Sequence, residues 1–482
     1  MQKASHEFTA VNRTKLPALL KGMVIFMKRI GRRAMLLFIV LIYFFMCTAA
    51  FIYKYISEAE KWVVHPANKN VYTNGILKGS GSILSSDGTV LFTSDSSGLK
   101  YAQDINLRMA TLHAVGDMQG SINTGILKTH RASIIGFDHL TGVYNVGQAG
   151  GTVTLTLDAD TCKAAYEALG NRNGTVGVYN YKTGKIICMI SKPSYDPQNI
   201  PDLTTDAYKG VYLNRLTAGV YTPGSVFKVI TTAAALENIP DIHTRTFTCN
   251  KGADINGEWV ACTNNHGQIN FEDAFAESCN AVYAAISLEL GEETLAKYAY
   301  EAGVGKQFKI EDIYTSKGKF DVDNINHKVQ LAWAGIGQHT DLVNPMQYMI
   351  YMGAIANGGQ AVTPYYIGNV NTSLGIPSNL RFNSKESRML STETADELKK
   401  LMRNNSVKAY VDANFAGMNL CAKTGTAQVD DGESHAWFVG FLDNPDTPLA
   451  FVVILEHGGN GFYNAAPVAR KVLQQAVKTF EQ

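Results

Sequence analysis

The chain has 482 residues, 46% of them hydrophobic, with a formal net charge of +1. A chain this long buries a sizeable core, and so even a charge balance gives no electrostatic case for binding nucleic acid. Ala34 to Tyr53 is an uncharged apolar run of about 20 residues, enough to span a bilayer core of roughly 30 Å as a helix. Lys28, Arg29, Arg32 and Arg33 stand directly before it. That asymmetry predicts a cytoplasmic tail over residues 1–33, a single-pass anchor over 34–53, and everything after Lys54 outside. The run exceeds the apolar core of a cleaved signal, so an uncleaved anchor is expected despite the small residues Thr48-Ala49-Ala50. Residues 54–150 hold turn signals and short apolar runs but no nucleophile with a base beside it, as expected of a small β-containing pedestal.

A second module is expected over 151–482. Gly151–Asp158 alternates like a strand and precedes a helical pattern from Asp160 to Leu169. Thr175–Tyr179 and Lys185–Ile190 flank Lys182-Thr183-Gly184 as a hairpin. Thr222-Pro223-Gly224 then leads into Ser225-Val226-Phe227-Lys228 and an apolar run to Leu236. Thr222 suits an N-cap and Pro223 a first helical residue, while Val229, Ile230, Ala233, Ala234 and Leu236 leave almost no polar face, so this helix is predicted to be buried. Three residues apart on a helix, Ser225 and Lys228 share a face, where the amine can take the hydroxyl proton. The bland alternative is a serine that only caps backbone amides.

Phe271–Glu277 and Ala281–Leu290 read as helices, with Gly291 as a stop, so Ser278-Cys279-Asn280 falls on the turn between them. Met418–Val429, His435–Phe441 and Leu449–Leu455 read as three strands of an antiparallel meander, the first carrying Lys423-Thr424-Gly425-Thr426. Gly425 would let a substrate backbone approach the strand edge, and Lys423 would offer charge to a terminal carboxylate. A last helix, Ala465 to Phe480, carries the stripe Val468, Val472, Leu473, Ala476 and Phe480. Each short word has a decoy. Ser97-Gly98-Leu99-Lys100 lies in a Ser- and Asp-rich loop, Ser121-Ile122-Asn123 lacks flanking helices, and Lys182-Thr183-Gly184 is a hairpin turn. Of the 7 cysteines none sits in C-x-x-C or with His at metal spacing, so no metal is expected. Cys249 and Cys262 flank a loop outside the membrane, where a disulfide and two free thiols both stay open. Cys279 and Cys421 read as small packing residues.

In this order Ser225-x-x-Lys228, Ser278-x-Asn280 and Lys423-Thr424-Gly425 resemble the signature of the serine acyl-transferases that penicillins inactivate. With Ala218–Lys228, Cys262–Gly267, Gly335–Gln338, Ala354–Gly359 and Lys423–Ala427, the chain resembles class B penicillin-binding proteins over most of residues 150 to 480. Gly81–Leu91 is similar to the strand-turn-strand that opens the family's pedestal, with serines in place of the usual charges. The resemblance implies an α+β fold, a serine β-lactamase/D,D-peptidase-like domain in which an antiparallel sheet is flanked by helices and joined by a helical subdomain, behind one transmembrane helix and the pedestal.

It further implies a monofunctional peptidoglycan D,D-transpeptidase without cofactor. A stem peptide ending in D-Ala-D-Ala would acylate Ser225 and release D-Ala, and an amine of a neighbouring stem would complete the cross-link. A β-lactam would mimic the donor. Lys228 would serve as base, made neutral by burial and by nearby Lys423. Ser278 would return a proton to the leaving amine, Asn280 would orient the lysine, and Lys423, Thr424, Gly425 and Thr426 would hold the donor. The oxyanion hole would be the backbone amides of Ser225 and Thr426. A polytopic SEDS-family glycosyltransferase is the implied membrane partner. Competing readings are a D,D-carboxypeptidase that transfers to water, a β-lactamase, and a non-catalytic β-lactam sensor or scaffold.

Overall fold

The computed structural model describes residues 16–480 apart from 66, 70, 74–75, 78–80, 96–97, 140–141, 144–149, 322–326, 379–384, 410–411 and 431. Continuous apolar runs bounded by turns become strands buried on both faces. Leu420–Ala427, His435–Leu442 and Leu449–Leu455 form the meander read from the sequence, antiparallel throughout. Gly174–Asn180 adds to the last of these and Ile186–Lys192 follows, giving a five-stranded sheet with Leu420–Ala427 at one edge. Every residue of Leu449–Leu455 and Gly174–Asn180 is buried, so helices cover both faces.

One cover is the helix Pro345–Ala356, apolar all round and buried at all twelve residues. Asn344 caps it by accepting from the Gln347 N–H at 3.1 Å, and Pro345 supplies a first-turn residue whose missing N–H costs nothing there. The other cover pairs Ala159–Leu169, capped by Asp158, with Ala466–Lys478. Val468, Val472, Leu473 and Ala476 of that last helix are buried as its stripe predicts. Phe480 is exposed instead, because the helix ends at Lys478.

A second five-stranded sheet runs in the order Ile367–Asn371, Thr152–Leu155, Ser82–Leu84, Val90–Asp95, Gly98–Tyr101. Ser82–Leu84 pairs in parallel with Thr152–Leu155, so chain from both sides of residue 150 shares one sheet, and 66–482 form one compact unit. A second tie is the ion pair of Arg108 with Asp196, Nε to Oδ1 and Nη2 to Oδ2 both 2.7 Å, between side chains each 10% exposed.

Residues 1–65 form the other unit, whose described part, 16–65, is the helix Leu16–Val63 and the two residues after it. At 1.5 Å per residue it is about 72 Å long, well beyond the 34–53 segment expected to be helical. It is long and apolar enough to cross a membrane.

Asp196→Ala leaves the Arg108 guanidinium buried without its carboxylate, and a loss of about 3–5 kcal/mol is expected. Denaturant unfolding of the full chain in detergent reads it; an unchanged midpoint would show that the pair is not a tie.

Candidate active site

Ser225 lies half-buried in a 3-10 turn, Gly224–Phe227, and the α-helix proper starts at Lys228. The helix start expected at Thr222 and Pro223 is therefore displaced by five residues, from Pro223 to Lys228. The reason is Gly224, whose φ of +58° lies outside the right-handed helical region. A Cβ at Gly224 would stand 2.8 Å from the Thr426 carbonyl oxygen. Only glycine lets this turn press against the Leu420–Ala427 strand. The turn is held from three sides: Trp437 Nε1 donates to Thr222 O at 3.0 Å, Tyr348 Oη donates to Val226 O at 2.6 Å, and the Gly224 N–H donates to Gly337 O at 2.8 Å.

The Ser278-Cys279-Asn280 turn has its own logic. The helix Phe271–Ala276 ends in a Schellman arrangement, with Cys279 N–H donating to Ala274 O at 2.9 Å and Ser278 N–H to Phe275 O at 3.2 Å. Ser278 occupies the left-handed position at φ +55°, where glycine is usual and another residue costs roughly 1–2 kcal/mol. Asn280 opens the helix Asn280–Glu301. Gly291 is left-handed at φ +76°, but a second helical segment starts directly after it rather than the chain stopping.

These two pieces meet on one atom. Lys228 is fully buried, and its Nζ donates to Ser278 O at 2.6 Å, Ser278 Oγ at 3.1 Å and Asn280 Oδ1 at 2.7 Å. Asn280 is oriented for this because its Nδ2 donates to Ala261 O at 2.8 Å, leaving the amide oxygen to the lysine. The lysine thus engages Ser278 and Asn280 rather than Ser225, whose hydroxyl makes no hydrogen bond among the described residues. Catalytic contacts of this kind commonly tighten only with substrate bound.

Lys423 is buried on the edge strand, 5.9 Å from the centre of the Phe275 ring. Ala422 turns its backbone outward, N–H to Ser406 Oγ at 3.1 Å and O to Asn405 Nδ2 at 2.6 Å. Backbone direction repeats every two residues, so Thr424 and Thr426 face that same outer edge. Gly425 plays a different part from the one expected. A Cβ on it would lie 2.9 Å from Pro223 O and 3.0 Å from Val226 Cγ1, so its missing side chain admits the serine turn rather than a ligand. Beside Thr222 and Thr426 opens a groove of about 1090 Å3, lined also by Gln338, His339, Gln428 and Glu433.

Burial pushes the Lys228 ammonium down to about 7, since no carboxylate offsets its lost hydration. Burial likewise holds Lys423 well below the usual lysine range, and the charge of Lys228 adds to it. The effect between the lysines therefore falls on Lys423, whereas the sequence reading had it acting on Lys228.

The decoys fall away. Lys182-Thr183-Gly184 is a turn whose Lys182 and Thr183 amides donate to Asn180 Oδ1, both at 2.9 Å. Ser121-Ile122-Asn123 lies in a loop, and Ser97 falls outside the described residues. Cys249 and Cys262 are free thiols rather than a disulfide. Against the expectation from spacing, Cys249, Cys262, His266 and Cys279 bring their ligand atoms within 4.8 Å of one another. Trp437, Tyr348 and Gly337 are positioning residues to which the sequence reading gave no role; Trp437 stands inside an apolar strand, and Gly337 inside Gly335–Gln338, a stretch that carried only the family resemblance.

The family model described as the penicillin binding protein transpeptidase domain matches residues 174–474. Peptidoglycan D,D-transpeptidase PbpA of Mycolicibacterium smegmatis is 29% identical over 360 residues, 68% of this chain and 73% of that protein. Stage V sporulation protein D of Bacillus subtilis is 28% identical over 331 residues, 64% of this chain and 50% of its own length. Among solved structures, penicillin-binding protein A from M. tuberculosis as its imipenem acyl-enzyme complex superposes with a TM-score of 0.73 at 23% identity, over 83% of this chain and 99% of that one. The fold is shared, and with the family model spanning the sheet, the serine turn and the buried lysines, the chain belongs to the penicillin-binding protein transpeptidase family.

Proposed function

We propose that the chain is a serine D,D-transpeptidase that cross-links peptidoglycan stem peptides and is inactivated by β-lactams. The observation that carries this is a fully buried Lys228 one turn after Ser225, tied to Ser278 and Asn280. An alcohol at its ordinary pKa is a poor nucleophile, and a lysine becomes a base only where its proton is easily lost. Around Nζ the Ser278 carbonyl and the Asn280 amide oxygen can only accept, whereas the Ser278 hydroxyl can reverse its role. The neutral amine therefore turns its lone pair toward a hydroxyl.

Ser225 Oγ attacks the carbonyl of the penultimate D-Ala as its proton passes to Lys228. The oxyanion is received by the backbone amides of Ser225 and Thr426. Collapse breaks the C–N bond, Ser278 relays the proton to the departing D-Ala amine, and an acceptor amine then attacks the ester and restores the serine. Lys423, Thr424 and Thr426 hold the donor's carboxylate, and the donor lies as an added strand along the outer edge. Gly425 contributes by letting the serine turn close on that strand.

The residues 1–33, 34–53, 54–150 and 151–482 are assigned as tail, anchor, pedestal and transpeptidase module. The basic cluster ahead of Ala34 supports an inside N-terminus, and a SEDS-family glycosyltransferase is the partner proposed for anchor and pedestal.

Ser225→Ala should abolish covalent labelling by a fluorescent penicillin, and mass mapping of the wild-type adduct should find it on the peptide holding Ser225. Stoichiometric labelling of the variant would refute the assignment. Lys228→Ala should slow acylation by about 10²–10⁴-fold.

The pH dependence has a definite sign. Lys228 acts as base only when neutral, and its neutral fraction grows as pH rises through about 7. Acylation should therefore fall about tenfold per pH unit below that midpoint and level off above it. A rate that stays flat across the neutral range would exclude Lys228 as the base.

A further inference from the structure

Four side chains outside the reacting groups converge behind the Ser278 turn. Cys249 ends the strand Thr246–Cys249, Cys262 follows Glu258–Ala261, His266 precedes Gly267–Asn270, and Cys279 is the N-cap of the helix Asn280–Glu301. The three cysteines are buried. His266 Nδ1 lies 3.4 Å from Cys249 Sγ and 3.6 Å from Cys262 Sγ, and Cys262 Sγ lies 3.9 Å from Cys279 Sγ. Around a tetrahedral zinc with Zn–S near 2.3 Å and Zn–N near 2.05 Å, ligand edges come to about 3.8 Å for S···S and about 3.6 Å for S···N. These three edges match that tetrahedron, and all four ligand atoms lie within 4.8 Å of one another.

We propose that Cys249, Cys262, His266 and Cys279 form a structural Zn2+ site that fixes the Ser278-Cys279-Asn280 turn. Three soft sulfurs and one imidazole suit zinc and disfavour magnesium, calcium or manganese. Four protein ligands leave no open position, so the ion does no chemistry on substrate. The surroundings fit ligation. The Asn280 N–H donates to Cys262 Sγ at 3.3 Å, a bond that stabilises a thiolate. His266 Nε2 is buried without a hydrogen-bond partner and has Glu277 Oε2 4.0 Å away, so with Nδ1 on the metal its N–H faces a carboxylate. The coupling is covalent and short. Cys279 stands between the two residues that hold Lys228, so pinning its sulfur fixes the left-handed Ser278 and the start of the Asn280 helix.

The positioning half of this inference rests on the acylation reading above; the metal half does not. Full-length chain purified in detergent without chelator should carry about one zinc per chain by elemental mass spectrometry. Exchange for Co2+ should give the visible bands of a tetrahedral thiolate site, which tests the wild type even where variants fail to fold. Cys249→Ser and His266→Ala should each lose the metal. Stripping with a strong chelator should slow penicillin acylation by about 10–100-fold, reversed by Zn2+. Chain that labels fully yet takes up no zinc, His266→Ala that keeps it, or peptide mapping that finds a Cys262–Cys279 disulfide in labelled chain would overturn the site. Unchanged acylation of the stripped chain would overturn the positioning role.

Discussion

The site depends on one unfavourable act, the burial of the Lys228 ammonium where no carboxylate reaches it. A charge taken out of water is tolerated only when every proton finds an acceptor or when the proton is given up. Here both answers are half built. Three oxygens surround Nζ, enough to hold the charged form, and all three belong to neutral groups, so the charge stays costly. Lys228 also sits at the first residue of its helix, where the positive end of the macrodipole opposes an ammonium. The result is a lysine balanced between its two forms near neutral pH, which a general base requires. A carboxylate partner would stabilise the fold and hold the lysine in its charged form.

Three chain segments must be pressed together to make this possible, and the contacts that do so are made by missing side chains. Gly224 and Gly425 lie at the junction of the serine turn and the edge strand, Gly224 leaving room for the Thr426 and Ala427 backbone and Gly425 for the Pro223 carbonyl and the Val226 side chain. Trp437 on the neighbouring strand and Tyr348 on the covering helix then donate to carbonyls of the turn, which ties it to the most rigid part of the molecule. Strain and rigidity are thus separated. The left-handed Gly224 and Ser278 lie at the two turns, and the sheet behind them is buried along the whole of Leu449–Leu455 and Gly174–Asn180.

What could be read from the sequence is what is local. The meander, the hairpin around Lys182, the helix after Asp158 and the two helices flanking Ser278 each announce themselves by periodicity or turn residues within about a dozen positions. The three short motifs were legible because a serine, a lysine and an amide at fixed spacing have few other joint uses. The lysine's actual partners were only half legible: helical spacing pointed Lys228 at Ser225, while its hydrogen bonds run to a turn fifty residues on. The part assigned to Gly425 failed for a related reason, since a glycine in a strand signals a close approach without saying which side approaches. Phe480 was lost to a helix end two residues short of it.

The cysteines show that limit most clearly. Spacing rules for metal sites work when ligands come in pairs from one turn, as in C-x-x-C, because a turn fixes two donors on its own. Cys249, Cys262, His266 and Cys279 come instead from the ends of separate strands and a helix N-cap, and only the packing of Thr246–Cys249 on Gly267–Asn270 beside that helix brings them together. No local pattern records such a convergence. It also gives the two small two-stranded sheets, Thr246–Cys249 with Gly267–Asn270 and Gly252–Ile255 with Glu258–Ala261, a purpose that burial alone does not supply. Their faces are largely exposed, as in the e-i-e pattern of Thr246–Cys249, so they contribute little core. A two-stranded sheet with so little apolar area is marginal in water. What these do bury are the sulfurs at their ends, directly behind the turn that holds Lys228.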